Sequence, residues 1–234
     1  MLKFQQKCSR RISESIRARS SHCEISTTDP SNEDKYLELK QLRDIKSEEF
    51  YSKHGAHRRY FYYIDLQGRL FLEDTKPKNI ATSLKSPKFL RFFFSNVRPN
   101  KSDQCVGERA SLLEYPYCSP CGKEMNYIKC ADRPIVFDDL SKDSEKGKWM
   151  LRYGGGELCF PFQPAQLRIS TSTGRLYHHF SSKHFTQGSD QNFGLIRSQL
   201  AVELSKSITF GSQEDAAEAT IHWDNTQAVI PCIN

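Results

Sequence analysis

The chain has 234 residues, 37% hydrophobic and 26% charged, with 15 Phe, 10 Tyr and 2 Trp. That length suits one domain or two small ones, and the aromatic bulk is enough for a packed core, which excludes a chain disordered throughout. The formal net charge of +6 is unevenly placed: Lys3, Lys7, Arg10, Arg11, Arg17 and Arg19 stand against Glu14 alone in residues 1–23, so the remainder is close to neutral and nonspecific nucleic-acid binding loses its main electrostatic support.

The same segment is rich in Ser. At helical spacing Leu2, Phe4, Cys8, Ile12 and Ile16 form one stripe, with Lys3, Lys7, Arg10, Arg11 and Arg17 opposite. A basic amphipathic helix poor in acids has the pattern of a mitochondrial transit peptide. The sequence therefore predicts residues 1–23 as a presequence ending near Arg17–Ser21, and a soluble protein of the mitochondrial matrix. A retained basic tail is the competing reading. No apolar tract approaches the ~18 residues of a membrane span. In the reducing matrix the cysteines are expected to be unpaired.

Residues 24–57 read as a polar linker carrying a surface helix over 35–51, with Leu39, Leu42, Ile45 and Phe50 as its apolar positions and His54 and His57 in solvated linker. A first unit is expected over 58–140. Tyr60–Ile64 and Arg69–Leu72 form a hairpin around Asp65–Gly68. A short helix is predicted over 79–84, and a second begins at Ser86-Pro87, Ser at the N-cap and Pro at N1. Strands are expected over 112–117, 124–130 and 134–138. The charged stretch 141–148 reads as a boundary, and a second unit as 148–234. In it, strands flank Gly154-Gly155-Gly156 and Thr173-Gly174, a helix runs over Gly194–Ser205, and strands fall at 208–210, 219–223 and 228–230, the last two turning at Asp224-Asn225. The predicted class is α+β, two small units, each an antiparallel sheet with one or two helices.

Six tracts occur in order: Tyr60–Leu72, Phe89–Asn100, Ser119-Pro120-Cys121-Gly122 through Phe137, Gly154–Glu157, Gly174–His178 and Gly194–Leu204. On these the chain resembles a conserved eukaryotic family of unknown function, whose human member is an open-reading-frame protein encoded on chromosome eight and assigned to mitochondria. The resemblance covers about residues 58–223 and implies no particular activity. Gly68–Phe71, the helix before Arg98, Asp132–Phe137 and Gly194–Leu204 also resemble a bacterial family of unknown function built from repeated α+β motifs, which implies a two-unit α+β fold.

The residues leave several chemistries open. Cys118-Ser119-Pro120-Cys121 is a CxxC that with Cys105 and Cys130 could supply four thiolates to zinc, or form a redox pair; hairpin cysteines without such a role are the plainer reading, and the eukaryotic family keeps Ser-Pro-Cys-Gly but not the first Cys. Gly154, Gly155 and Gly156 with Glu157 could admit an anion to backbone N–H groups or simply make a tight turn. His178, His179 and His184 could bind metal, although neighbours in a strand face opposite ways. Arg98, at the end of an element, could bind a carboxylate or phosphate. No local motif of a hydrolase, zincin, P-loop or dinucleotide fold occurs. The sequence favours a noncatalytic module for a small-molecule or protein partner, with Arg98 and Gly154–Glu157 as ligand-binding residues at the seam of the halves. The alternatives are a zinc or thiol protein centred on Cys118 and Cys121, and an RNA-associated mitochondrial factor.

Overall fold

A computed structural model describes residues 46–100, 112–185, 192–211 and 219–233. The 1–23 segment, the linker, most of the expected 35–51 helix and Cys105 lie outside the described residues. The chain forms two compact units, an N-terminal one of residues 46–65 and 69–134 and a C-terminal one of residues 66–68 and 135–233. The class is α+β, as the sequence predicts. No helix among the described residues is long and apolar enough to cross a membrane.

In the N-terminal unit, α1 (Glu48–Ala56) opens at Ser47, whose Oγ accepts the Phe50 backbone N–H at 3.3 Å, with Glu48 and Glu49 in the first turn; both features suit the positive end of a helix. The expected hairpin is β1 (Arg59–Ile64) and β2 (Leu70–Leu72). Its turn is held by Asp65, whose carboxylate accepts the Arg69 backbone N–H at 2.9 Å and the guanidinium Nε–H at 2.7 Å. As the Ser86-Pro87 signal predicts, α2 spans Pro87–Ser95 and buries Leu90, Phe93 and Phe94. With β3 (Arg98–Pro99), β4 (Tyr117–Cys121) and β5 (Glu124–Cys130) the sheet runs β2-β1-β5-β4-β3. The β1–β5 pair is parallel and the others antiparallel.

Adjacent strand residues face opposite ways, and Phe61 and Tyr62 show that each face has its own helix. Tyr62 meets Phe93 of α2 at 5.0 Å between ring centroids, while Phe61 meets Phe50 of α1 at 5.1 Å and Tyr115 at 4.9 Å. Full burial of one such ring stabilises by about 1.5–3 kcal/mol.

Three expectations fail in this unit. Residues 79–84 form a turn, because the Asn79 side chain takes the Ala81 and Thr82 N–H groups at 2.8 and 3.2 Å in place of a continuing ladder. The strand expected at 112–117 begins only at Tyr117 and carries Cys118–Cys121 instead. His54 is in α1, 5% exposed, against Phe50 and Phe61.

The C-terminal unit runs β6 (Val136–Phe137), β7 (Asp139–Lys142), β8 (Trp149–Tyr153), β9 (Leu158–Pro161), β10 (Leu167–Ser170), β11 (Leu176–His179), β12 (Phe193–Ile196), α3 (Ser198–Ser205), β13 (Ile208–Phe210), β14 (Ala219–Trp223), β15 (Thr226–Ile230) and β16 (Cys232–Ile233). Its main sheet has the order β16-β10-β11-β12-β6, with β7-β8-β9 and β13-β14-β15 as smaller meanders. The centre of the main sheet is antiparallel and both edge pairs are parallel, so here too the sheet is mixed.

The charged 141–148 stretch is the end of β7 and its turn into β8, closed by the Asp143 N–H on the Lys148 carbonyl at 2.8 Å. The expected 194–205 helix begins only at Ser198. Gly194–Ile196 is strand, because a Cβ at Gly194 would stand 2.5 Å from the Phe137 ring and the chain must pass flat against it. Asp224 and Asn225 turn at φ +47° and +63°, the hairpin geometry this residue pair favours.

Candidate functional site

The short helix α3 has two working faces. Leu200 and Leu204, four apart, are buried in the core of the C-terminal unit. Ser198, Ala201, Val202 and Ser205 recur at the same 3–4 spacing on another face and line a cavity of about 330 Å³. Their small side chains leave the space. Its other walls are Ile169 of β10, Thr173–Leu176 at the β10–β11 turn, Leu195 and Ile196 of β12, Ile208 and Phe210 of β13, and Leu66. Val202 and Phe210 are 42% and 40% exposed, so the lip of the groove is apolar. Among the described residues of the lining, Arg175 is the one that carries charge, and none is Asp, Glu, His or Cys.

The N-terminal unit buries a polar network instead. Glu73, 2% exposed, accepts the Tyr115 hydroxyl at 2.6 Å and the Tyr51 hydroxyl at 3.0 Å on one oxygen. Its other oxygen lies 3.1 Å from Lys129 Nζ as an ion pair, off hydrogen-bonding geometry. Lys129 also pairs with Glu114 at 3.3 Å and lies 4.7 Å from the Tyr115 ring centroid. Burial pushes both phenols well above the usual tyrosine range, and Glu73 adds to it. Burial pulls Lys129 down, yet the two glutamates outweigh it and hold it above the ordinary lysine value. The network ties α1, the segment after β2, the segment before β4 and β5 together, a structural fastening.

His178 sits in an aromatic shell of Phe137, Phe160 and Phe162, fully buried. Its Nδ1 is 2.6 Å from the His179 carbonyl oxygen, and Nε2 accepts the Gln163 backbone N–H at 3.1 Å. That is the pattern of a neutral ring donating from Nδ1. Burial lowers its pKa to about 4. The ring is therefore a packed neutral histidine, with His179 on the other face of the strand. Nearby, Asp138 Oδ1 and Arg197 Nε are buried without hydrogen-bond partners; burial raises the Asp138 carboxyl and the Arg197 charge opposes this.

Of the four cysteines named by the sequence, Cys118, Cys121 and Cys130 are described, and these three do not converge. Cys118 lies opposite Tyr127 and Cys121 opposite Glu124, so the two thiols of the CxxC face opposite sides of β4. Cys130 is six residues along β5 from Glu124, about 20 Å of strand. Burial raises the Cys118 thiol, with neighbouring Arg98 pulling the other way. It raises Cys130 to about 12, with Asp132 adding to the effect. Both effects favour thiol over thiolate, the form that attacks or ligates. Among the described residues no three His, Cys, Asp or Glu side chains are grouped to hold a metal ion.

Arg98 is in the N-terminal unit, paired in register with Cys118. Gly154–Glu157 is in the C-terminal unit, where Gly154, Gly155 and Gly156 turn at φ +63°, +74° and +84° between β8 and β9. That left-handed run needs glycine, and its last carbonyl accepts from Arg152 at 3.4 Å. None of these residues lines the α3 groove. Sequence reasoning did not find the groove; Ser198-x-x-Ala201-Val202-x-x-Ser205 is the signal that could have found it.

A family model described as a domain of unknown function (DUF4505) matches residues 51–231. The chain is also similar to solved structures of two DUF1285 family proteins. The one from Shewanella baltica OS155 has a TM-score of 0.40 and 14% identity, over 63% of this chain and 91% of the other. The one from Silicibacter pomeroyi DSS-3 has a TM-score of 0.40 and 15% identity, over 83% and 93%.

Proposed function

This chain belongs to the DUF4505 family of domains of unknown function, and on that footing we propose that it is a noncatalytic binding module of the mitochondrial matrix whose site is the groove along α3. The observation that carries the reading is the groove: about 330 Å³, walled mostly by aliphatic side chains, with a few polar groups at fixed positions. Small-molecule sites have this make-up, a concave apolar surface with sparse polar anchors. Binding fits better than catalysis because Arg175 alone among the described lining residues carries charge, whereas general acid–base chemistry needs a group that titrates near working pH. The basic, acid-poor 1–23 segment supports the matrix setting.

The test is titration of the full chain with 1-octanol, followed by amide chemical shifts. Shifts are expected at Leu195, Ile196, Ala201 and Val202, and Ala201→Trp, which fills the groove, should abolish them. Shifts spread over the surface, or unchanged by Ala201→Trp, would overturn the reading.

A further inference from the structure

We propose that the outer face of α2 docks on an anionic lipid bilayer, with Lys85, Lys88 and Arg91 meeting the headgroups and Phe92 entering among them. This face belongs to the N-terminal unit and does not depend on the groove.

Charge complementarity points to the partner. Residues 75–100 hold six cations, Lys76, Lys78, Lys85, Lys88, Arg91 and Arg98, and no acid, while the rest of the chain beyond residue 23 is net negative. Lys78 is held by the Glu73 and Thr75 carbonyls at 2.7 and 3.0 Å, and Arg98 stands beside the Cys118 thiol. Lys85, Lys88 and Arg91 are exposed, and among the described residues none of the three is in an ion pair. At helical spacing Lys88, Arg91, Phe92 and Ser95 share one side of α2, opposite the buried Leu90, Phe93 and Phe94. Phe92 is 44% exposed on that side.

The stability of α2 does not explain these cations. The N-terminal end of a helix carries partial positive charge and disfavours them. In α1 the rule is kept, with Glu48 and Glu49 in the first turn and Lys53 and His54 in the last. In α2 it is broken: the first turn has no acid, Lys88 is two residues past the Ser86 N-cap, and Lys85 directly precedes that cap. Residues that break a local rule mark surfaces kept for another purpose. Lysine is depleted at protein interfaces, whereas Lys and Arg beside Phe are the make-up of a membrane-surface contact. An RNA strand calls for several rings on which bases stack, and this side of α2 carries one.

The experiment mixes the full chain with bicelles of phosphatidylcholine and phosphatidylglycerol in equal parts, doped with a lipid whose headgroup carries a nitroxide. Three cations and one ring give half-binding at roughly a millimolar of lipid, a fast exchange that amide line broadening reads. Because residues 1–23 are also basic, the quantity read is broadening at Lys88–Ser95, not total bound protein. Broadening is expected there, and not with phosphatidylcholine alone. Lys88→Gln and Arg91→Gln should each weaken it about fivefold, Phe92→Gln about tenfold, and added salt should weaken it in the parent chain. Broadening confined to other residues, 1–23 included, would overturn the proposal. An unchanged lipid affinity in Phe92→Gln would also overturn it, because a bilayer takes up the ring. Polyglutamate or polyuridylate acting on the same amides at lower concentration than the lipid would identify an acidic protein or a nucleic acid as the partner and overturn the bilayer.

Discussion

The N-terminal and C-terminal units each place an ionisable side chain beyond the reach of water, and they meet its cost in opposite ways. Glu73 is kept as an ion pair with Lys129 and fed by two phenols. His178 is kept as a neutral ring whose two nitrogens are matched to backbone groups among phenylalanines. A charged solution couples distant segments strongly but fails badly when one partner is removed. A neutral solution tolerates its surroundings but is exposed to acid. The unit with the neutral centre is also the one with an open apolar groove, and the unit with the charged centre is sealed by a helix on each face of its sheet.

The largest expected effect breaks the charged side of this contrast. Lys129→Met strands a buried carboxylate and should cost the N-terminal unit about 3–5 kcal/mol, measured by denaturant unfolding with hydrogen exchange at β1 and β5. Adding Glu73→Gln should recover much of the loss, and a double variant no better than the single would show that Lys129 acts through packing alone.

The neutral side predicts a pH dependence. The folded-state pKa of about 4 lies below the usual 6.5, so between those values the unfolded chain holds a proton that the folded chain does not. Stability therefore falls as pH drops through that window, by roughly 3 kcal/mol in full. Both tryptophans, Trp149 and Trp223, are in the C-terminal unit, so fluorescence reads its unfolding alone. A His178→Gln variant should lack this slope, and an unchanged slope would assign it elsewhere. The smallest effect probes packing in the same unit: Gly194→Ala places a methyl against the Phe137 ring and should lower stability by about 1–3 kcal/mol in the same fluorescence measurement, whereas no loss would mean that β12 can move aside.

Local chemistry was legible where it is complete within a few residues. Ser86-Pro87 starts α2, and Asp224-Asn225 and Gly154–Gly156 mark hairpins, because the backbone angle each requires belongs to the residues themselves. Elements decided by distant partners were not. Gly194–Ile196 continues the apolar pattern of α3, yet β11 and β6 draw it into a sheet. His54 looks like linker until Phe61 covers it. The Glu73 network joins residues 22 and 42 positions apart, and no window of sequence contains it. The groove escaped for a related reason: a void is made by what side chains lack, and Ser, Ala and Val on a helix announce nothing until the walls opposite are in place.

The edges of the main C-terminal sheet come from opposite ends of their unit, β6 beginning at Val136 and β16 ending at Ile233. During synthesis β10 can pair with β11 early, but its outer edge stays bare until Cys232 and Ile233 have cleared the ribosome. A polypeptide stalled or cut before Cys232 would carry an open strand beside the apolar Leu167 and Ile169, a template for adding strands from other chains. Two residues of β16 thus act as the cover on that edge.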